Sequence, residues 1–129
     1  MKTKILLVED NEQNRYLATF LLEQRGYEVV HAESGPQGLE LAATARPDLV
    51  LLDIQLPGMD GHAVARALKA DPTLKVIPIV AVTSYAMAGD REKVLAAGAE
   101  GYIEKPINPA TFGAEVERFL RPPEGKSTP

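Results

Sequence analysis

Cysteine is missing from this 129-residue sequence. That excludes a disulfide framework and any thiolate metal site, and it fits a reducing compartment. Long apolar runs are missing too. No segment approaches the ~20 apolar residues that a membrane helix needs. The run after Met1-Lys2-Thr3-Lys4 is only Ile5-Leu6-Leu7-Val8, too short for the apolar part of a signal peptide. The expectation is a cytoplasmic protein with no membrane partner. A basic cluster is also lacking. The formal net charge is -4, and no Lys/Arg face is available to neutralise a phosphate backbone, so direct nucleic-acid binding is not expected. There is no G-x-G-x-x-G and no Walker lysine pattern, and Ala96-Ala97-Gly98-Ala99 reads as a closely packed helix end rather than a nucleotide loop. His31 and His62 stand alone and form no metal-ligand pattern.

What is present is an ordinary globular balance, 45% hydrophobic and 25% charged, at a length that suits one domain with a real core. Two kinds of segment alternate. Ile5 to Val8, Leu49 to Leu52 and Ile77 to Val82 are short, wholly apolar runs, which read as strands buried on both faces of a parallel sheet. Weaker strands fit Glu28 to His31 and Gly101 to Ile103. Between them lie helical patterns. Leu17, Phe20, Leu21 and Gln24 step by three and four and stop at Gly26. Ser34 caps a helix through Leu39, Ala42 and Ala43 that ends at Pro47. Asp60 caps one carrying Val64, Ala65 and Leu68. A fourth spans Met87 to Gly98, and a fifth carries Phe112, Val116, Phe119 and Leu120. Strand and helix alternate five times, which implies an α/β fold with a parallel sheet and right-handed crossovers. Residues 1–121 form the expected domain. The tail 122–129, built from Pro, Glu, Gly, Lys, Ser and Thr, is expected to be disordered.

In open α/β sheets, ligands bind beyond the carboxyl ends of the strands. Glu9 and Asp10 follow the first strand, Asp53 ends the third, Thr83 and Ser84 follow the fourth, and Lys105 follows the fifth. The second strand supplies only Ala32-Glu33-Ser34, which reads as turn and cap material. Three converging carboxylates repel one another unless a cation neutralises them. All-oxygen ligands suit Mg²⁺, with Mn²⁺ as a substitute, and the backbone carbonyl of Gln55 can complete the set. A carboxylate beside such an ion can act as a nucleophile toward phosphorus. Lys105 and Thr83 can then receive the phosphoryl oxygens. Leu56-Pro57-Gly58-Met59-Asp60-Gly61 reads as a rigid loop that lets backbone lie close over the site.

Taken singly, each of these residues has a plainer reading. Glu9, Asp10, Asp53 and Thr83 could be turn or cap residues, Lys105 a solvated lysine, and Tyr102 half-buried core. Their joint placement resembles the receiver (response-regulator) domain of two-component signalling systems. The motifs are Leu6-Leu7-Val8-Glu9-Asp10-Asn11, Leu51-Leu52-Asp53-Ile54-Gln55-Leu56-Pro57-Gly58-Met59-Asp60-Gly61, Val82-Thr83-Ser84 and Tyr102-Ile103-Glu104-Lys105-Pro106. The resemblance covers roughly residues 3 to 121. It implies a five-stranded sheet in the order 2-1-3-4-5 with helices on both faces. It further implies Asp53 as phosphoacceptor, Mg²⁺ held by Glu9, Asp10, Asp53 and the Gln55 carbonyl, phosphate contacts from Thr83, Ser84 and Lys105, a cis bond before Pro106, and Thr83 and Tyr102 as a coupled switch. Implied partners are a histidine kinase or histidine phosphotransfer protein, docking on a first-helix surface with Asn14, Arg15 and Leu17, and a downstream protein target. Asn11 to Arg15 and Ala86 to Asp90 are similar to the DivK type of stand-alone regulator, and also to receivers attached to hybrid kinases.

Two other classes compete. A haloacid-dehalogenase-like phosphatase also uses an aspartyl nucleophile, but wants a second Asp where Gln55 stands. A flavodoxin-like cofactor carrier needs a hydroxyl- and Gly-rich cradle where Glu9-Asp10 would repel phosphate. The signalling reading takes the chain to be no enzyme beyond its own phosphorylation and dephosphorylation, and it leaves open relay against partner switching.

Overall fold

The computed structural model describes residues 3–56, 61–83 and 90–120. Asp60, Met59, Ser84, Tyr85, Met87 and the tail lie outside the described residues. The chain order is β1 (Lys4–Val8), α1 (Glu12–Gln24), β2 (Glu28–Ala32), α2 (Gly35–Ala45), β3 (Leu49–Asp53), α3 (Gly61–Ala70), β4 (Ile79–Thr83), α4 (Asp90–Ala96), β5 (Gly101–Glu104) and α5 (Phe112–Leu120). The strands form one parallel sheet in the order β2-β1-β3-β4-β5.

The uninterrupted apolar strands have a direct cause. Successive side chains point to opposite faces, and both faces are covered. On one face Leu6, Val8, Val50, Leu52, Ile79 and Ala81 pack with Ala42 of α2, Val64, Ala65 and Leu68 of α3, and Val94 of α4. On the other, Ile5, Leu7, Leu49, Leu51, Val80 and Val82 pack with Ala18 and Leu22 of α1 and Phe112 and Val116 of α5. Each large apolar side chain so buried contributes ~1.5–3 kcal/mol relative to exposure.

Local chemistry sets the helix ends. The Asn11 side chain accepts from the Asn14 N–H and caps α1, and Ser34 accepts from the Gln37 N–H and caps α2. Gly26 takes φ 91° just past α1, where a residue with a Cβ would be strained.

Two expectations need correction. The fourth strand starts at Ile79, not Ile77, because the Ile77 N–H is taken by the Leu74 carbonyl in the preceding turn. Of the expected α1 row, Leu21 packs against the core beside the fully buried Ala18 and Leu22, but Phe20 and Gln24 face outward. Phe20 is 47% exposed and stacks at 6.5 Å on Tyr16, itself 74% exposed.

Candidate functional site

The sheet order brings the carboxylates together. β1 and β3 are neighbours with Val8 opposite Leu52, so the residues that follow each pair emerge side by side at the same rim. Glu9 is held there by its N–H bonding the Ala32 carbonyl at 2.9 Å. Asp53 is the last residue of β3. One carboxylate oxygen from each of Glu9, Asp10 and Asp53 lies within 4.8 Å of the others. Glu9 and Asp53 are each only 3% exposed, whereas Asp10 faces solvent.

Lys105 closes the cleft from beyond β5. Its Nζ is 3.0 Å from Glu9 Oε1 and 3.5 Å from Asp53 Oδ2. Its backbone N–H bonds the Thr83 carbonyl at 2.8 Å, and the Lys105–Pro106 peptide is cis. Thr83 ends β4 and is buried at 6% exposure. The Gln55 N–H donates to Asp53 Oδ1 at 3.0 Å, fixing the carboxylate from the other side. Gly61 opens α3 against this strand end. A Cβ there would lie 2.6 Å from Ile54 Cα and 2.7 Å from the Asp53 carbonyl oxygen, so only glycine allows the approach.

Electrostatics follow from this packing. Burial pushes the Asp53 carboxyl up from 3.8 to about 6; the Gln55 N–H opposes the rise, Glu9 adds to it and Lys105 opposes it. Three carboxylates face one ammonium, two of them buried, so the cleft carries surplus negative charge when all are ionised. The donor set is all oxygen, which fits a hard divalent cation such as Mg²⁺.

Two contributors were not visible as such in the sequence. The Arg15 guanidinium donates to the Glu9 carbonyl at 3.0 Å and lies 3.7 Å from the Glu33 carboxylate, with its side chain only 16% exposed. Arg15 is therefore turned toward the cleft rather than outward on α1. Glu33, read as turn material, anchors it. The signal was an arginine five residues past an acidic pair, which by itself looks like a solvated surface charge. Tyr102, on β5, is half-buried against the core and lines a cleft of about 330 Å³ with Glu104, Glu115, Arg118 and Phe119. Ser84 lies outside the described residues.

Residues 5–117 match the family described as the response regulator receiver domain. A polar-differentiation response regulator DivK from Brucella anthropi is 43% identical over 120 residues, covering 93% of this chain and 98% of that protein. The receiver domain of a sensor histidine kinase from Pseudomonas aeruginosa, with a magnesium ion coordinated in its active-site cleft, superposes with a TM-score of 0.85 at 35% identity, covering 93% of this chain and 98% of that one. The chemotaxis protein CheY4 of Vibrio cholerae gives 0.88 at 31% identity, covering 93% and 100%.

Proposed function

This chain belongs to the response regulator receiver domain family of two-component signalling, and on that premise we propose that Asp53 accepts a phosphoryl group from a phosphohistidine. The observation that carries the proposal is the gathering of Glu9, Asp10 and Asp53 within 4.8 Å, with the Lys105 ammonium against two of them.

Receiver domains bind Mg²⁺, as the Pseudomonas relative does. Here Glu9, Asp10, Asp53 and the Gln55 carbonyl would hold the ion, whose positive charge offsets charge on the phosphoryl oxygens. The remaining chemistry belongs to the chain. An Asp53 carboxylate oxygen forms a bond to phosphorus as the P–N bond to the donor imidazole breaks. The imidazole leaves with that electron pair and takes a proton from solvent. Lys105 neutralises one phosphoryl oxygen, and the Thr83 and Ser84 hydroxyls donate to others. Without metal, burial raises the Asp53 carboxyl to about 6; a bound cation would favour its ionised form, which a nucleophile needs.

The switch follows from the same residues. Thr83 would be drawn toward the phosphoryl group, and Tyr102 would turn into the space released, altering the surface of α4, β5 and α5. The donor kinase or phosphotransfer protein would dock on α1, where the exposed Tyr16–Phe20 stack offers an apolar contact beside Asn14 and Leu17. The chain would turn over no external substrate beyond its own phosphorylation and dephosphorylation. Among the described residues no helix is long and apolar enough to cross a membrane, and the reading takes the protein to be cytoplasmic.

The test is phosphorylation by a small acyl phosphate with Mg²⁺. Mass spectrometry should show one phosphate on the native protein and none on Asp53→Asn. The same adduct on both proteins would overturn the assignment.

A further inference from the structure

A second concave site lies away from the acidic cleft, between α3 and α4. It is a cavity of about 390 Å³ lined by His62, Arg66, Lys93, Ala96 and Ala97, within the usual range for small-ligand sites of ~300–1,000 Å³. His62 and Arg66 are four apart and share one face of α3, while Lys93 and Ala96 share one face of α4, with Ala97 just past its end. Among the described residues, every polar residue on its wall is basic and no carboxylate lines it, in a chain whose formal net charge is -4.

The cations there are not spent elsewhere. Arg15, Arg25, Lys69 and Lys105 each sit within ion-pair distance of a carboxylate. Among the described residues, neither Arg66 nor Lys93 has an acidic or hydrogen-bonding partner. Two like charges facing one hollow are relieved by a bound anion.

We propose that this cleft binds a small phosphorylated molecule. Arg66 engages the phosphate through its planar fork and Lys93 adds a point charge, with the His62 ring on the wall beside them. The methyl walls of Ala96 and Ala97 suit an attached apolar or ring-bearing group. The proposal is independent of the chemistry assigned to Asp53.

The test is calorimetric titration of the full chain in chelator, so that the acidic cleft repels phosphate. Three probes are used: inorganic phosphate, pyrophosphate and a nucleoside diphosphate. Saturable binding by at least one is expected. A tighter nucleotide places an organic group against the alanine wall, and equal affinities assign the site to the bare anion. Arg66→Ala with Lys93→Ala should weaken binding roughly a hundred-fold, about ten-fold per charged contact. Both side chains are exposed, and circular dichroism checks that the fold is kept. No saturation by any probe, or affinity unchanged in the double variant, overturns the proposal. So does binding of a polyglutamate peptide in place of all three, which assigns the cleft to an acidic protein partner.

Discussion

The Lys105 ammonium sits closer to Glu9 Oε1, at 3.0 Å, than to Asp53 Oδ2, at 3.5 Å. The proposed nucleophile is thus flanked, not locked, by the amine, while Glu9 is firmly paired. Lys105→Ala should leave Glu9 and Asp53 facing each other without a cation. Stability at neutral pH in chelator should fall by about 2 kcal/mol, the scale of losing one charged hydrogen bond. Millimolar Mg²⁺ should recover much of it, and should raise the melting temperature more in the variant than in the native chain. Melting curves of both proteins, with and without metal, decide the matter. Identical metal responses would remove Lys105 from the cleft's charge balance.

Asp53 carries a pH signature. Its folded pKa of about 6 is above its ordinary 3.8, so the folded state holds the proton more tightly than the unfolded chain does. The resulting stabilisation is fully present below about 3.8 and is lost as pH rises through about 6. Asp53→Asn should remove this slope. In chelator at pH 7 the variant should be more stable than the native chain by on the order of 1 kcal/mol, after discounting for solvent. Denaturant titrations between pH 4 and pH 7 measure it. Parallel pH profiles for the two proteins would contradict the raised pKa.

Arg15 should act on metal affinity more than on stability. It holds the Glu9 carbonyl and is itself held by Glu33. Arg15→Ala should weaken Mg²⁺ binding roughly ten-fold, as loss of partners behind a metal ligand does, with little change in melting temperature in chelator. Isothermal titration with Mg²⁺ provides the readout. A large drop in chelator stability at constant metal affinity would make Arg15 a packing residue only.

Gly61→Ala probes the close approach behind Asp53. The added methyl meets Ile54 Cα and the Asp53 carbonyl, both backbone atoms that cannot swing away. The expected cost is about 1–3 kcal/mol, accompanied by slower phosphorylation because the strand end must shift. Urea unfolding and acyl-phosphate kinetics test the two effects together. A variant unchanged in both would show that the α3 start has slack.

Much of the architecture was legible because strand and helix differ so sharply here. Runs such as Leu49 to Leu52 are apolar at every position only because helices cover both faces of the sheet. Polar residues placed just after such runs then point to one rim, which located Glu9, Asp10, Asp53, Thr83 and Lys105. The α1 stripe misled for an equally physical reason. Phe20 counts as apolar in any periodic pattern, yet it stacks outside on Tyr16, while the small Ala18 faces the core. Arg15 was out of reach because a long side chain's direction depends on what it meets across the fold, and its anchor Glu33 lies beyond a different strand. The same holds for Lys69. Its Nζ bonds the carbonyls of Lys75 and Ile77 and the carboxylate of Glu100, partners that only the folded chain assembles.

One peptide hydrogen bond ties two of the proposed actors together: the Lys105 N–H reaches the Thr83 carbonyl at 2.8 Å. On the reading above, the hydroxyl that senses a phosphate and the amine that clasps it hang from the same rung of the ladder. Neither can travel far without tugging the other, so detection and grip are geared rather than separately adjustable. Variants that alter how long the charged state lasts, while leaving the gearing intact, would have to lie off this rung.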